Sequence, residues 1–316
     1  MKLINLLKVF FIVSLSAFLL SCSIGETQSG EQGSSASNFS YPIGITLNPT
    51  NNIAFITNFS SSTVVSCTVS NGALTHCADS GATGLSAPQG IILNSSGTFA
   101  YIVNTASNSV TSCNVSGGVL ANCRDSGATN LDTPYGGIAF NSSESVLFIT
   151  NIDSDTITKC IIVAGESLTD CDNSAATGLY GPFGITLNQA GTIAFVTEFV
   201  DNGFVMECPV NDDSTLGDCT DTGATGLFSP ANIALNQSGN VAFITNNSNN
   251  TVSSCTVIDG ALSDCANSGA TGLSTPYGIV LNSAGTFAFI TNAANNTVTA
   301  CNVNGTTLSN CTYTGL

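Results

Sequence analysis

One sequence unit of 46 to 48 residues occurs six times in the chain, and this repetition limits the possible folds more than any other feature. Each unit begins at a proline, and the six prolines are Pro42, Pro88, Pro134, Pro182, Pro230 and Pro276. A turn of the form Pro-x-Gly-Ile leads into an apolar segment that ends in Asn. A second segment reads Ile-Ala-Phe-Ile-Thr-Asn or a close variant. A third carries the spacing Val-x-x-Cys, and a fourth carries Leu-x-x-Cys.

These four segments have the pattern of short β-strands. Each is apolar or alternating and is bounded by Gly, Asn or Pro, whereas helical periodicity is absent beyond the N-terminal segment. Four strands repeated every 40 to 50 residues are typical of a β-propeller blade. We therefore predict an all-β, six-bladed β-propeller over residues 42–316, with four antiparallel strands per blade. Because a blade cannot bury both of its faces alone, the ring should fold as one domain.

Twelve of the thirteen cysteines form one pair in each unit. Cys67 and Cys77 lie symmetrically about Gly72, so a hairpin would place them opposite each other. The third and fourth units have one extra residue between their cysteines, within the turn. A zinc site is the alternative, but it needs four converging ligands in a chain with one His. We predict one disulfide per blade, in the pairs Cys67 and Cys77, Cys113 and Cys123, Cys160 and Cys171, Cys208 and Cys219, Cys255 and Cys265, and Cys301 and Cys311.

The N-terminus predicts export and lipid anchoring. Residues 9–20 are apolar, which is the length of a signal-peptide core and short for a membrane span. The following Ser21-Cys22 resembles the lipobox of bacterial lipoproteins, which implies cleavage before Cys22 and its lipidation. A plain secretory signal is the alternative. We therefore assign residues 1–21 to a signal peptide and residues 22–41 to a lipidated cysteine and a flexible Ser/Gly/Gln-rich tether. The expected location is the bacterial cell envelope, at the outer membrane and either periplasmic or surface-exposed.

The repeat also resembles that of a known family. The second-segment motif Phe-Ile-Thr-Asn, with Pro-x-Gly-Ile before it, is similar to the YVTN-type repeat of lactonase-like β-propellers. That family includes lactonase-like enzymes, surface-layer proteins and extracellular binding propellers. The resemblance thus implies the propeller fold and leaves an enzymatic, a binding and a structural role open.

The charge balance excludes several classes of protein. The chain has 4 Lys plus Arg against 20 Asp plus Glu, for a formal net charge of −16. A nucleic-acid partner is excluded, because such proteins neutralise phosphates with basic side chains. His76, Arg124 and Lys159 all lie next to outer-strand cysteines. An axial active site would therefore have no cationic side chain with which to stabilise an oxyanion.

A variable position at the start of each unit suggests a binding surface. The residue after the first proline differs between units, and loops at this position gather at one mouth of a propeller channel. Packing onto neighbouring blades is the alternative role of these side chains. We predict that four of them form a platform for a sugar or another flat ligand, namely Gln89, Tyr135, Phe183 and Tyr277.

The fourth unit departs from the repeat. Glu198 replaces the Asn that ends the second strand elsewhere, and Asp201 follows it. We expect the Asn to cap a turn with its side chain, a short-range bond that Glu forgoes. Glu198 and Asp201 are therefore candidate ligands for Ca²⁺ or another divalent cation, with a solvated acidic loop as the alternative. No other cofactor is expected.

The sequence thus favours a non-enzymatic, lipid-anchored binding, adhesion or interaction scaffold. Its expected partners are the membrane, through the lipid, and a protein or glycan ligand, and we expect a monomer. The first alternative is a metal-dependent, lactonase-like hydrolase that uses carboxylates at the propeller mouth. The second is a structural surface-coat protein.

Overall fold

The structure, a computed structural model, describes residues 38–163 and 166–315. The predicted signal peptide, Cys22 and most of the predicted tether lie outside the described residues. Among the residues that are described, no helix is long and apolar enough to cross a membrane.

Six four-stranded antiparallel sheets, each with its strands in chain order, form the described part of the chain. This confirms the predicted six-bladed propeller. Blades one to three comprise β1 (Pro42–Leu47), β2 (Ile53–Asn58), β3 (Thr63–Ser70), β4 (Ala73–Asp79), β5 (Pro88–Leu93), β6 (Phe99–Asn104), β7 (Ser109–Ser116), β8 (Val119–Asp125), β9 (Pro134–Phe140), β10 (Val146–Asn151), β11 (Thr156–Val163) and β12 (Ser167–Asn173). Blades four to six comprise β13 (Pro182–Leu187), β14 (Ile193–Glu198), β15 (Val205–Pro209), β16 (Thr220–Asp221), β17 (Pro230–Leu235), β18 (Val241–Asn246), β19 (Thr251–Ile258), β20 (Ala261–Asn267), β21 (Pro276–Leu281), β22 (Phe287–Asn292), β23 (Thr297–Asn304) and β24 (Thr307–Thr314). One 3-10 turn, Thr105–Ser107, follows β6.

Apolar side chains pack between neighbouring blades rather than within one blade. Phe55 of blade one, for example, lies in a buried cluster with Ile91 and Ile102 of blade two. Phe289 of blade six packs in the same way with Ile56 of blade one, so the apolar interface runs round the ring. Burial of these side chains supplies the main favourable free energy of association between blades.

A threonine near the end of the second strand links most blades to the next. In five blades its Oγ1 donates to a carbonyl at the start of the following blade, at 2.6–2.8 Å. Thr291 of blade six bonds in this way to the carbonyl of Ile43 in blade one, which closes the ring. The backbones meet so closely that a Cβ at Gly184 would lie 2.7 Å from the carbonyl oxygen of Ala231. Glycine is therefore needed at this turn.

The outer strands close the ring a second time. The N–H of Leu120 donates to the carbonyl of Ser80 in the preceding blade, and the equivalent bond recurs at the next four interfaces. At the sixth interface, Leu74 of blade one bonds with the Thr314 hydroxyl and with the N–H of Gly315. Blade six therefore joins blade one through hydrogen bonds at the same leucine position, although here the acceptor of the leucine N–H is a side-chain hydroxyl instead of a backbone carbonyl.

The six predicted disulfides are present, one in each blade, with Cα–Cα distances of 4.0–4.2 Å. The expected symmetry about Gly72 does not produce the pairing. The hairpin instead turns through Asn71 and Gly72, which pairs Ser70 with Ala73 and would set Cys67 opposite His76. A bulge at His76, whose φ is 50°, shifts the register by one residue and brings Cys77 opposite Cys67.

The packed ring begins before Pro42. Phe39 is buried in the cluster of blade one, and the Asn38 side-chain amide donates to the carbonyl of Cys77 at 2.6 Å. Residues 38–41, which the sequence assigned to the tether, therefore pack on the propeller.

Candidate functional site

Aromatic side chains from four blades and the segment before blade one meet at one end of the propeller axis. They come from the two positions next to the first proline of a unit and from the position after the second strand. We call this group the axial aromatic cluster. Its ring centroids lie 4.9–6.3 Å apart. Its members are Tyr41, Phe59, Tyr135, Phe183, Phe199 and Tyr277.

The cluster has a buried floor and a half-exposed rim. Phe183 is 0% exposed and stacks on Tyr277 at 5.6 Å, while Ile43 and Ala231 complete the apolar floor. The other four aromatic side chains are half-buried. A Cβ at Gly136 would overlap the Phe183 ring, so the absence of a side chain there lets this ring reach the axis. The mouth is therefore covered by aromatic faces.

Polar groups converge on the same cluster. Burial raises the pKa of Tyr135 and of Tyr277 above the usual tyrosine value, so both phenols are neutral at physiological pH. The Gln89 side chain is 1% exposed, and neither of its amide atoms makes a hydrogen bond of ordinary geometry within the described residues. The Gln89 amide nonetheless approaches the Tyr135 hydroxyl and lowers the pKa of this phenol. Burial raises the same pKa and is the larger of the two effects.

The structure thus brings together the four side chains predicted at the mouth. It places three of them, Gln89, Phe183 and Tyr277, in the buried layer and leaves Tyr135 on the rim. The sequence reasoning missed Tyr41, Phe59 and Phe199. Phe59 and Phe199 could have been found from their place in the repeat, because each directly follows the second strand of its unit. That position lies at the mouth, as does the position after the proline.

Below the cluster, the first strands of the blades line an axial cavity of about 260 Å³. Its walls are backbone groups and the side chains of Ile, Thr, Val, Leu, Ala and one Asn, Asn232. None of the described residues that line it is ionisable. The cavity can hold water or an apolar group, but its walls supply no side chain for proton transfer.

The two acidic side chains of blade four lie in different environments. Glu198 is 1% exposed, and its Oε2 accepts the N–H of Tyr180 at 2.6 Å. Asp201 is exposed and lies 3.4 Å from the Ser229 hydroxyl. Nowhere in residues 38–163 and 166–315 are three or more Asp, Glu, His or Cys side chains grouped as metal ligands. The residues present therefore do not fit a divalent cation, and the metal assignment stays a prediction.

The repeated Asn differs from the expected turn cap. Asn246 accepts the N–H of Phe228, 18 positions earlier, at 3.1 Å, and its counterparts accept an N–H from 18 positions earlier, or 19 for Asn151. Glu198 makes the equivalent bond, because it accepts the N–H of Tyr180. Blade four therefore does not lose a hydrogen bond at this position, contrary to the expectation from the sequence. What changes in blade four is the other half of the side chain, which is an amide NH₂ group in Asn and a carboxyl oxygen in Glu.

The basic side chains lie away from the axis. His76 is on β4 and Arg124 on β8, both outer strands, and Lys159 on β11 donates to the Asp213 carbonyl at 3.1 Å. Among the described residues, the axial end therefore has aromatic rings, phenols and amides as its functional groups.

Comparisons with known proteins agree with this architecture. The family described as "Lactonase, 7-bladed beta-propeller" matches residues 36–198. The match ends at Glu198, and the described chain has six blades. No curated protein matches the sequence significantly.

Solved structures share the fold at low sequence identity. The periplasmic gluconolactonase of Pseudomonas aeruginosa is 13% identical with a TM-score of 0.58, covering 86% of this chain and 88% of that one. A proposed 6-phosphogluconolactonase of Bacteroides fragilis is 14% identical with a TM-score of 0.60, covering 86% and 84%. A chain of a nidogen–laminin complex is 14% identical with a TM-score of 0.65, covering 79% and 89%. These neighbours thus include structures named as lactonases and a chain of a protein–protein complex.

Proposed function

The chain belongs to the lactonase family of β-propellers, and from this premise we propose that it is a non-catalytic member that binds carbohydrate at the axial aromatic cluster. One observation carries the proposal: six aromatic rings close the mouth and present a half-exposed rim over a rigid, buried floor. A pre-formed surface of this kind binds a ligand with little loss of side-chain entropy.

The chemistry of the cluster suits a sugar ring. The apolar face of a pyranose packs on an aromatic face, and its hydroxyls pair with neutral phenols and amides. Tyr135 and Tyr277 keep their phenolic protons because burial raises the pKa of each, and Gln89 adds a buried amide. A ligand hydroxyl or an ordered water at Gln89 would satisfy polar atoms that are otherwise costly to bury.

The positions of the charged groups support binding rather than hydrolysis. Stabilising an oxyanion with side chains requires cationic or well-aimed N–H donors beside a nucleophile or base. His76 and Arg124 lie on outer strands instead, and the axial cavity has no ionisable lining.

The proposed location is the bacterial cell envelope, with a lipid on Cys22 as the anchor. The lipobox-like Ser21-Cys22 and the N-terminal apolar run support this assignment. Six disulfides agree with an oxidising compartment outside the cytosol.

A glycan array followed by calorimetry with the best ligand tests the binding proposal. Tyr135→Ala and Phe199→Ala, both on the rim, should each weaken binding about 3- to 10-fold, since one aromatic contact contributes about 0.5–1.5 kcal/mol. Tyr313→Ala is the matched control, because this exposed tyrosine lies on β24. Absence of any glycan ligand, or equal losses in the control, would contradict the proposal.

Hydrolysis of a sugar lactone is the second candidate, favoured by family membership and by the gluconolactonase neighbours. A divalent cation does not fit the described residues, so no step through a metal is derived. Opening of gluconolactone by the purified protein, measured against spontaneous hydrolysis with and without added Ca²⁺, decides between the candidates. A protein-dependent rate that Tyr135→Ala abolishes would favour the enzyme.

A further inference from the structure

Three exposed aromatic side chains lie at the mouth end of the propeller, outside the axial aromatic cluster. Tyr180 is 39% exposed, and Phe204 and Phe228 are each 42% exposed. Tyr180 and Phe228 lie two residues before the prolines that begin β13 and β17, and Phe204 directly precedes β15. These strands begin where β14 and β18 end, and the second strands end at the mouth. We call the three residues the outer aromatic group.

Each member of the outer aromatic group replaces a small polar residue of the repeat. The position that Tyr180 and Phe228 occupy is Ser or Asp in the other four units, and the position of Phe204 is Thr or Ser in the other five. Blades with those small residues close in the same way, so the fold does not require the rings. Adjoining apolar side chains that are exposed on a protein surface mark an interaction site.

Tyr180 and Phe204 lie on the same side of blade four. Both line one cavity of about 250 Å³. Glu198, at the end of β14, ties their backbones together, because its Oε2 accepts the N–H of Tyr180 at 2.6 Å and its own N–H donates to the carbonyl of Phe204 at 3.0 Å. The two rings therefore border a common groove whose backbone is fixed.

The loop between β14 and β15 connects this groove to Phe228 and to the axis. At its outer end, a Cβ at Gly203 would lie 2.6 Å from the Cδ of Pro230, which follows Phe228 by two residues. At its inner end, the N–H of Phe199 donates to the carbonyl of Gly181 at 2.9 Å, and Phe199 belongs to the axial aromatic cluster. Aromatic side chains thus follow one another from the axis outward over blades four and five.

The charges at this end of the propeller favour an uncharged ligand. The acidic residues of its described loops are Asp132, Asp153, Asp155 and Asp201, and none of these loops contains Lys, Arg or His. Together with the formal net charge of −16, these carboxylates repel carboxylated, sulphated and phosphorylated glycans. The other loop residues are largely Ser, Thr, Asn and Gly, whose hydroxyls and amides pair with neutral hydroxyl groups.

A row of aromatic rings with hydroxyls and amides between them matches a chain of sugar units better than one unit. Each pyranose offers an apolar face to a ring and hydroxyls to the polar groups beside it. The axial aromatic cluster provides one such contact at the centre, and the outer aromatic group provides further contacts of the same kind.

We propose that the outer aromatic group extends the axial site into a surface for an uncharged oligosaccharide, which runs from the axis past Phe199 onto blades four and five. This inference rests on the proposed carbohydrate function and specifies its ligand as a chain of neutral sugar units. Tyr180, Phe204 and Phe228 contact the outer part of the chain.

Isothermal titration calorimetry of the purified protein tests the inference, with cello-, malto- and manno-oligosaccharides from the monosaccharide to the hexasaccharide as probes. The affinity for the matching series should rise about tenfold or more with chain length, since each added aromatic contact strengthens binding about 2- to 10-fold. Phe204→Thr and Phe228→Ser introduce residues that the repeat has at these positions. Each should weaken hexasaccharide binding about 2- to 10-fold and leave binding of the monosaccharide unchanged.

Ile258→Ser is the matched control, because this exposed apolar residue is the last of β19, away from the mouth, and it should leave all affinities unchanged. If either phenylalanine variant fails to fold by circular dichroism, Tyr180→Ser decides instead. An affinity that does not rise with chain length, or aromatic variants that bind the hexasaccharide like the parent protein, would overturn the inference. Tighter binding of galacturonic acid oligomers or of an oligolysine peptide would also overturn it.

The proposed function and its extension fail in different ways. If Tyr135→Ala weakens monosaccharide binding but chain length and the outer variants have no effect, the axial site stands and the extension is wrong. Absence of binding at every chain length contradicts the proposed function itself, and the extension with it.

Discussion

One of the hydrogen bonds that close the ring uses a hydroxyl that can be removed with little change in side-chain shape. Thr291 is 0% exposed, donates to the Ile43 carbonyl at 2.6 Å and accepts the N–H of Gly278 at 2.8 Å. Thr291→Val keeps the volume and removes both bonds. It therefore tests whether hydrogen bonds, besides apolar packing, hold blade six to blade one.

The expected loss follows from the two backbone groups left behind. A buried donor or acceptor without a partner costs about 1–3 kcal/mol, so we expect Thr291→Val to lower the free energy of unfolding by about 2–4 kcal/mol. For a domain of this size, that corresponds to a fall of about 3–7 °C in Tm. The matched control is Thr312→Val, on the exposed side of β24, for which we expect a change within about 0.5 kcal/mol.

Blade two provides the converse experiment. Val103 occupies the position that is threonine in the other five blades, and the Thr105 hydroxyl donates to the Pro134 carbonyl at 2.6 Å instead. Val103→Thr should be neutral or stabilise by up to about 1 kcal/mol, because the new hydroxyl meets an interface of the same geometry. Guanidinium unfolding monitored by circular dichroism, with the disulfides intact, measures each change. Equal stability of Thr291→Val and Thr312→Val would refute the reasoning.

Three further predictions concern the hairpins, the buried phenols and the disulfides. His76→Val should destabilise by about 1–2 kcal/mol in guanidinium unfolding, whereas His76→Asn should not, because a β-branched residue fits the left-handed bulge poorly. Burial raises the pKa of Tyr277 in the folded state, so the contribution of this phenol to stability is complete below about pH 10 and is lost as the pH rises further. The free energy of unfolding of Tyr277→Phe should therefore fall less steeply than that of the parent protein between about pH 8 and 12. Reduction should lower Tm without changing the sedimentation coefficient, since each disulfide lies within one blade, and peptide mapping should find no pair between blades.

The repeat made the architecture predictable because the same local pattern occurs six times. The prolines marked the first strands, and the observed strands β1, β5 and β9 begin at Pro42, Pro88 and Pro134. A packing rule that holds for one blade holds for all of them, so errors at single positions do not change the fold. The disulfide pairs followed for the same reason, although the register that produces them did not. The left-handed bulge at His76 is occupied by Asn122 in blade two and Asp264 in blade five, residue types that favour this conformation but are equally common in ordinary turns, so they did not reveal the register.

The mouth was only partly predictable. A variable position beside a fixed proline indicated Tyr135 and Tyr277, but burial depends on how far each ring reaches toward the axis. Gly136 illustrates this, since it lets Phe183 reach the centre although the two residues are 47 positions apart. Such contacts arise from the curvature of the ring, which a linear pattern does not contain.

Comparison of blades one and four shows how the repeat tolerates exchanges around the residue that ends the second strand. In blade two this residue is Asn104, whose amide donates to the Thr111 hydroxyl at 2.8 Å. Blade one has Val65 at the Thr111 position, and the amide of Asn58 donates instead to the carbonyl of Asn38 at 3.0 Å. Blade four has Met206 at that position and Glu198 in place of the Asn, and Glu198 still accepts the N–H of Tyr180 at 2.6 Å. Asn58 likewise accepts the N–H of Ser40 at 3.1 Å, so the acceptor half of the side chain is kept in both blades, whereas the donor half differs between them.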